Sequence, residues 1–251
     1  VFIDSEFKNG HLNYGEIVMK GKTKKEILFT TYLCHPSLAN NEISGPCVVT
    51  YLSKFLYKLK NRHYTYRFIF IPETIGSIAY INKNLLNLKK NLLAGFNISC
   101  VGDERAYSYV SSRKGNTIAD YVAKKVLYST DKKYKKYSWL SRGSDERQFS
   151  SPGVDLPLCT ICRSKFGEYK EYHNSLDKLG TVVTKKGLET SVELLKKIII
   201  FFEKKFYYNS IFKCEPFMSK RNLYSTISKH ENVNNTDILM NVLSSCDGET
   251  D

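Results

Sequence analysis

Apolar runs alternate with helical periods along the middle of the chain. Continuous apolar runs occupy residues 27–33, 66–71, 92–101, 107–111 and 156–161. Helical spacing of apolar residues is found at 44–61, from residue 75, at 117–128 and at 185–206. Alternating strands and helices are typical of parallel sheets covered on both faces. The pattern predicts an α/β fold, a three-layer α/β/α sandwich with a mostly parallel sheet over residues 26–206.

The two ends of the chain depart from this alternation. Residues 1–22 carry the turn signal Asn9-Gly10, which predicts a hairpin at an edge of the sheet, or the end of an inserted or upstream domain. Residues 23–210 form the predicted core. A polar stretch and a last helical period follow, so residues 211–251 are expected to begin a small helical domain that is cut short. We interpret the chain as a fragment of a longer protein.

The net charge is +13, from 38 Lys and Arg against 25 Asp and Glu. A positive field of this size attracts nucleic acids and acidic glycans. The basic residues are spread over several segments, such as Lys22-Thr-Lys-Lys25 and Lys132-Lys133, which favours a lysine-rich solvated surface instead. The longest apolar run, Ile198-Ile-Ile-Phe-Phe202, is far too short to cross a bilayer, so no membrane contact is expected.

Seven cysteines are present, and several lie inside apolar runs. Such positions are typical of small buried side chains in a reducing compartment, so a cytoplasmic location is predicted. The segment Cys159-Thr-Ile-Cys162 has C-x-x-C spacing, but it does not open a helix and the sequence has no second such pair. A redox motif or a structural zinc knuckle is therefore disfavoured.

Polar side chains that can bind a metal follow several of the predicted strands. They are His35, the Asn40-Asn41-Glu42 turn, Glu73, Asp145, His173 and Asp177. Taken alone, each is equally consistent with a structural role, such as a hydrogen-bonded histidine or an acid at a helix N-terminus. Ligands gather at the carboxyl ends of strands in open α/β sheets. Because histidine and carboxylate ligands bind zinc, and a free carboxylate can activate water, the set together predicts a hydrolytic metal centre.

Four segments carry a resemblance to a known family. They are Cys34-His-Pro-Ser37, Pro72-Glu-Thr-Ile-Gly-Ser-Ile-Ala79, Gly143-Ser-Asp-Glu-Arg-Gln148 and Gly167-Glu-Tyr-Lys-Glu-Tyr-His173. Their order resembles the zinc aminopeptidase superfamily, of the leucyl aminopeptidase and glutaminyl cyclase type. More closely, it is similar to a bacterial aminopeptidase-like group with an inserted domain and a C-terminal winged helix-turn-helix. Members of that group are often linked to surface-polysaccharide biosynthesis.

The resemblance implies one metal ion rather than two. Dinuclear aminopeptidases have a bridging aspartate where this chain has Asn41, a second acid where it has Thr74, and a strand-end aspartate where it has Ser99. The site that the resemblance implies is a single zinc ion with Glu73 as the catalytic base. Its expected ligands are His35, Glu42, Asp145 and His173. Asn41 and Asp177 are expected to hold these ligands in position without binding the metal, and Asp177 is expected to orient His173.

The leading hypothesis is a zinc-dependent hydrolase of an amide, a peptide or an amino-sugar-related substrate. The alternative is a catalytically degenerate aminopeptidase-like protein that binds a metabolite and acts with a nucleic-acid-binding winged helix. A cyclase-like transferase with the same single metal is a third candidate. DNA is a candidate partner through the C-terminal appendage, while the substrate and the oligomeric state are left open by the sequence.

Overall fold

The computed structural model describes residues 1–204, 210–222 and 235–247. It divides the chain into two compact units, Val1–Glu203 and Lys204–Asp251. The first unit contains all of the described strands and the first five helices. No helix in the described residues combines the length and the apolar character needed to span a membrane.

The first unit is built on a seven-stranded mixed sheet. Its strands are β1 (Gly15–Met19), β2 (Glu26–Leu33), β3 (Thr65–Pro72), β4 (Leu92–Ile98), β5 (Ser108–Val110), β6 (Lys135–Tyr137) and β7 (Leu158–Cys162). They are ordered β1-β3-β2-β4-β7-β5-β6. The central strands β3, β2, β4 and β7 are parallel, whereas β1 and β5 run antiparallel to their neighbours β3 and β7. The predicted mostly parallel sheet is confirmed.

Helices cover both faces of this sheet. They are α1 (Ser44–Lys58), α2 (Ile75–Asn91), α3 (Ile118–Thr130), α4 (Glu146–Phe149) and α5 (Lys185–Lys204). Successive side chains of a strand point to opposite faces, and β2 follows this rule. Ile27 and Phe29 pack in the core that contains residues of α1, α3 and α5, while Leu28 packs with residues of α2 and α4. The predicted three-layer α/β/α sandwich is therefore confirmed.

Helix α1 approaches the sheet closely at its first turn. A Cβ on Gly45 would lie 2.4 Å from the Thr31 hydroxyl oxygen and 2.6 Å from the Ile98 carbonyl oxygen. The position therefore has no room for a side chain, and this explains the glycine of the Ser-Gly pair. The close approach fixes the segment between β2 and α1 against the carboxyl ends of two central strands.

Three details differ from the sequence-based predictions. Residues 1–14 contain no strand, so no hairpin forms around Asn9-Gly10. Strand β1 pairs with β3 at the edge of the sheet instead. Helix α2 is 17 residues long, although the sequence indicated only a short helix from Ile75. Strand β6 was missed, since its three residues Lys-Lys-Tyr lack the apolar character of a buried strand.

The second unit is described over two segments. A short 3-10 turn covers Ser219–Arg221, and helix α6 covers Asn235–Ser244. The two segments are joined where the Ser210 backbone N–H donates a hydrogen bond of 2.7 Å to the Cys246 carbonyl. The apolar period read from the sequence at 238–243 lies within α6.

Candidate metal centre

The carboxyl ends of β2 and β3 bring two of the predicted residues side by side. Leu33 of β2 is paired with Pro72 of β3, and the Glu73 backbone N–H lies 3.4 Å from the Leu33 carbonyl oxygen. His35 and Glu73 leave the sheet just beyond this pair. Parallel pairing in register therefore places a histidine and a carboxylate at the same edge, as the sequence predicts.

A π-helical turn, Ala39–Ile43, precedes α1 and directs Glu42 into the molecule. Its wider winding is shown by the Ile43 N–H, which bonds to the Leu38 carbonyl at 3.3 Å. Single π turns recur at functional sites because the extra residue re-aims the side chains around it. Glu42 is 4% exposed, so this turn buries a carboxylate that a regular helix start would leave near the surface.

Only one of the two oxygens of the Glu42 carboxylate accepts a hydrogen bond. Oε2 accepts a hydrogen bond of 2.8 Å from the Cys34 N–H. Oε1 lies 3.3 Å from Nδ1 of His35, and both of these buried atoms lack a hydrogen-bond partner. Burial raises the pKa of Glu42 to about 7, although backbone N–H groups of His35 and Cys34 lower it. A cation at this point would satisfy both atoms.

Asp145 repeats this arrangement on the other side of Glu73. Its Oδ1 accepts hydrogen bonds from the Thr74 N–H at 2.8 Å and from the Ser77 hydroxyl at 3.0 Å. Its Oδ2 is buried without a hydrogen-bond partner. Burial raises the pKa of Asp145 to about 7, and the nearby charge of Glu73 adds to this effect. A second buried carboxylate oxygen is thus left without a hydrogen-bond partner.

Glu73 is held by the loop that carries Asp145. The Ser144 hydroxyl donates a hydrogen bond of 3.0 Å to Oε1 of Glu73. Thr74, the next residue, has φ of 63°, a left-handed conformation that is a true outlier for a β-branched residue. Backbone strain of this kind persists only where the surroundings enforce it, and it clusters at functional sites. Ser144 is a site residue that the sequence reading did not single out, although it lies within one of the quoted motifs.

His173 reaches the same edge from the polar loop before α5. Its ring stacks on His35 with centroids 4.7 Å apart, and Tyr172 stacks on its other side at 3.9 Å. Burial and the neighbouring His35 lower the pKa of His173, which favours the neutral imidazole that metals bind. Like Thr74, it has a left-handed backbone, with φ of 56°. His35 and His173 line an open depression of about 630 Å³ together with Pro36, Leu38 and Asn174.

Asp177 and Asn41 support the π turn. Both oxygens of Asp177 accept backbone hydrogen bonds, from Asn40 at 2.7 Å and from Asn41 at 3.1 Å, and Tyr169 adds a third at 3.0 Å. Asp177 therefore fixes the turn that carries Glu42. In the described residues it makes no hydrogen bond to His173. The amide of Asn41 donates to the Tyr32 hydroxyl at 2.7 Å.

The tightest group of ligand atoms includes a residue that the prediction left out. The Cys34 sulfur, a His35 ring nitrogen and a Glu42 oxygen all lie within 4.8 Å of one another in the described part of the chain. Asp145 and His173 flank this group and are not members of it. Adjacent residues of a strand point to opposite faces, so spacing alone gave no reason to join Cys34 to His35.

The residues present fit a divalent metal ion. Ten buried side-chain atoms of the described residues lack a hydrogen-bond partner, and three of them are possible metal ligands of the predicted set: Nδ1 of His35, Oε1 of Glu42 and Oδ2 of Asp145. An unpaired buried carboxylate oxygen is costly, and a bound cation is one way to compensate it. Nitrogen, oxygen and sulfur donors in one cluster match the ligand chemistry of zinc.

Solved structures with a similar fold include metalloenzymes. A zinc aminopeptidase from Bacillus subtilis is 18% identical, with a TM-score of 0.60 over 74% of this chain and 48% of its own. A glutaminyl cyclase from an Acidobacteriales bacterium is 15% identical, with a TM-score of 0.63 over 77% and 74%. At these identities, the similarity establishes the aminopeptidase-like fold alone.

Two comparisons with Clostridium acetobutylicum are much closer in sequence. A crystal structure provisionally described as a peptidase is 36% identical, with a TM-score of 0.75 over 94% of this chain and 53% of that chain. A protein provisionally named for polysaccharide biosynthesis, with an aminopeptidase-like domain, is 41% identical over 228 residues, which are 90% of this chain and 52% of the relative. The chain thus spans about half the length of these relatives.

Family models account for both units. A winged helix-turn-helix model matches residues 205–251. The family described as a domain of unknown function, DUF4910, matches residues 5–205. Since this second match covers most of the sequence, the chain belongs to the DUF4910 family, on an aminopeptidase-like α/β fold followed by a winged helix-turn-helix segment.

Proposed function

We propose that the protein is a hydrolase that uses one zinc ion at the ends of β2 and β3. The single observation that carries this proposal is the pair of buried atoms Nδ1 of His35 and Oε1 of Glu42, which lie 3.3 Å apart and make no hydrogen bond. Asp145 adds a third buried ligand atom without a hydrogen-bond partner. Other buried acids of the same unit, such as Asp103, Asp120 and Glu146, have hydrogen-bond partners on both oxygens, so the unpartnered atoms need another explanation. The proposal keeps His173 as a further ligand, because it stacks on His35.

The chemistry follows from the residues around the cluster. A zinc ion bound there would supply a water of lowered pKa and polarise the scissile carbonyl. Glu73 would take a proton from water and return it to the departing amine. The Ser144 hydroxyl donates to one oxygen of Glu73 and so restrains the carboxylate. Thr74 N–H and Ser77 hold Asp145 beside it.

The proposed substrate is an amide or peptide with a free or modified amine, of a kind found on amino sugars and glycan precursors. The aminopeptidase-like fold supports the amide, and the name of the Clostridium acetobutylicum relative supports the link to polysaccharide biosynthesis. We further propose a cytoplasmic location. All seven cysteines are free, which suits a reducing compartment.

Zinc content and hydrolysis of the natural full-length protein test this proposal directly. The protein is purified, dialysed against chelator and reconstituted, and a panel of aminoacyl amides, aminoacylated amino sugars and N-terminal glutaminyl peptides is offered. We expect about one zinc per chain and zinc-dependent hydrolysis. Cyclisation of the glutaminyl peptides without hydrolysis would instead indicate a cyclase-like transferase.

The substitution Glu73→Gln separates the base from the ligands. An amide cannot accept the proton, so the rate should fall by about 10²–10⁴-fold while zinc content stays the same. Glu189→Gln, on the exposed face of α5, is the matched control and should leave both unchanged. Undiminished activity in Glu73→Gln would rule Glu73 out as the base.

A second candidate function is a catalytically degenerate binding protein that acts with DNA. The observation that favours it is the winged helix-turn-helix match at residues 205–251. Through its net charge of +13, this chain is expected to bind DNA weakly, without sequence preference, and with an affinity that falls steeply as salt rises. Zinc-free, inactive protein that binds one DNA sequence in high salt would favour this candidate over the hydrolase.

A further inference from the structure

Cys34 lies at the centre of the proposed metal site, although nothing assigns it a role. Its sulfur, a ring nitrogen of His35 and an oxygen of Glu42 all fall within 4.8 Å of one another. Two ligands of a tetrahedral zinc ion stand about 3.5 Å apart, given Zn–S and Zn–N distances of about 2.3 and 2.0 Å. The observed spacing therefore needs only a small side-chain rotation to close around an ion.

The backbone holds this group together. The Cys34 N–H donates to Oε2 of Glu42 at 2.8 Å, which leaves Oε1 free and facing the same space as the sulfur. Glu42 is in turn fixed by the π turn, whose Asn40 and Asn41 N–H groups bond to Asp177. A site whose ligands are ordered before binding loses little conformational entropy when an ion enters.

The other cysteines of the described residues have different surroundings. Cys100, Cys159 and Cys162 are fully buried within the core clusters. Cys47 is exposed on α1, as Cys34 is exposed after β2, but Cys47 is not in the group of ligand atoms. Cys214 and Cys246 belong to the second unit. Cys34 is the cysteine whose sulfur groups with a histidine nitrogen and a nearly buried, unpartnered carboxylate oxygen in the part of the chain that the structure describes. That second observation distinguishes it from an incidental surface thiol.

We propose that Cys34 is a ligand of the metal, so that the ion is held by sulfur from Cys34, nitrogen from His35 and oxygen from Glu42. This inference rests on the proposed metal site and changes its chemistry. On binding, the thiol loses its proton to solvent and a sulfur–metal bond forms. A thiolate ligand favours zinc, cobalt and cadmium over magnesium, calcium and manganese. It also places more negative charge on the ion than nitrogen and oxygen ligands alone.

Cobalt substitution tests the inference through a spectrum rather than through activity. The chelator-treated full-length protein is titrated with Co²⁺, and its absorption is recorded in the near ultraviolet, where thiolate-to-cobalt charge transfer appears. We expect this band in the natural protein and in Cys47→Ser, the matched control. The Cys34→Ser variant should lose the band while it still binds the ion, with an affinity at least about tenfold lower.

A second measurement uses the natural protein, so it does not depend on the folding of a variant. Iodoacetamide labelling followed by peptide mapping compares Cys34 with Cys47 in the presence and absence of zinc. Zinc should slow the alkylation of Cys34 at least about tenfold and leave that of Cys47 unchanged, because coordination withdraws electron density from the sulfur and lowers its nucleophilicity.

The outcomes separate this inference from the function on which it rests. If the protein binds zinc and hydrolyses amides but shows no charge-transfer band and no protection of Cys34, the ligand assignment is wrong and the hydrolase stands. If neither zinc nor cobalt binds at all, both fail together. A band that survives in Cys34→Ser would likewise remove Cys34 from the site.

Discussion

Buried carboxylates of the first unit fall into two classes. In the first class both oxygens accept hydrogen bonds, and its members include Asp103, Asp120, Glu146 and Asp177. In the second class one oxygen is satisfied and the other lacks a hydrogen-bond partner, as in Glu42 and Asp145. All six are at least nine-tenths buried. Burial alone therefore does not distinguish the carboxylates of the candidate site. Among these six carboxylates, an oxygen without a hydrogen-bond partner does.

The pKa of Asp120 is shifted in the opposite direction from those of Glu42 and Asp145. Burial raises the pKa of Asp120, but hydrogen bonds from Ser112, Thr117 and Tyr109 outweigh it and leave the pKa below its usual value. For Glu42 and Asp145 burial prevails, and their pKa values rise to about 7. Ionised Asp120 therefore contributes stability, while the charges of Glu42 and Asp145 cost stability unless a cation compensates them.

The largest expected effect is on stability, and it comes from the first class, in which both carboxylate oxygens accept hydrogen bonds (the satisfied class). Asp120 accepts five hydrogen bonds, from the Tyr109 hydroxyl and from the backbone and hydroxyl groups of Ser112 and Thr117. In Asp120→Asn an amide group would face some of these donors, so the free energy of unfolding should fall by about 3 kcal/mol. Denaturant unfolding measures this change.

The control for this prediction is Asp131→Asn, because the Asp131 carboxylate accepts one exposed hydrogen bond, from the Lys133 N–H. Its unfolding free energy should change by less than about 0.5 kcal/mol. If both variants lost the same free energy of unfolding, the hydrogen bonds around Asp120 would contribute no more to stability than the single exposed bond of Asp131.

A somewhat smaller effect is expected on metal binding. Glu42→Gln keeps an oxygen for the Cys34 N–H but removes the free anionic oxygen, so zinc affinity at pH 8 should fall by about 10–100-fold. Competition with a chelating dye measures the affinity. Glu193→Gln, exposed on α5, is the control. Unchanged zinc affinity in Glu42→Gln would remove Glu42 from the ligand set.

In the second class, in which one oxygen lacks a hydrogen-bond partner (the orphaned class), removal of the charge should raise stability instead of lowering it. In Asp145→Asn the oxygen that bonds to Thr74 and Ser77 is kept, and the buried charge disappears. The metal-free variant should therefore be more stable than the natural protein at pH 8, by on the order of 2 kcal/mol. A loss of stability, as expected for Asp120→Asn, would place Asp145 in the satisfied class.

Much of the fold could be predicted because parallel strands are buried on both faces. Strand β2 is buried over seven of its eight residues, and such a strand stands out as a continuous apolar run. The edge strands gave weaker signals. Strand β6 has exposed lysines, and the residues of β1 pair with residues of β3 that lie 47 to 55 positions away in sequence, which no local pattern indicates.

The candidate site could be predicted only where it follows from the ends of strands. His35 and Glu73 lie at the same edge of the sheet because β2 and β3 are parallel and in register. Cys34 and Ser144 were missed because their positions depend on the bend after β2 and on the conformation of a loop. The π turn, with Glu42 pointing inward, depends on Asp177, which lies more than 130 residues along the chain.

The smallest expected effect is the change with pH in the stability difference between Asp145→Asn and the natural protein. It is also the sharpest test of the comparison between the two classes. The pKa of Asp145 is raised in the folded state, so the charge penalty is fully present above pH 7 and declines as pH falls and the folded protein takes up a proton. The stability gap between Asp145→Asn and the natural protein should therefore shrink at pH 5 to less than half of its value at pH 8. Thermal unfolding in chelator at both pH values measures it. A gap that stays constant would show that Asp145 carries no penalty for its charge, and the orphaned class would lose its physical basis.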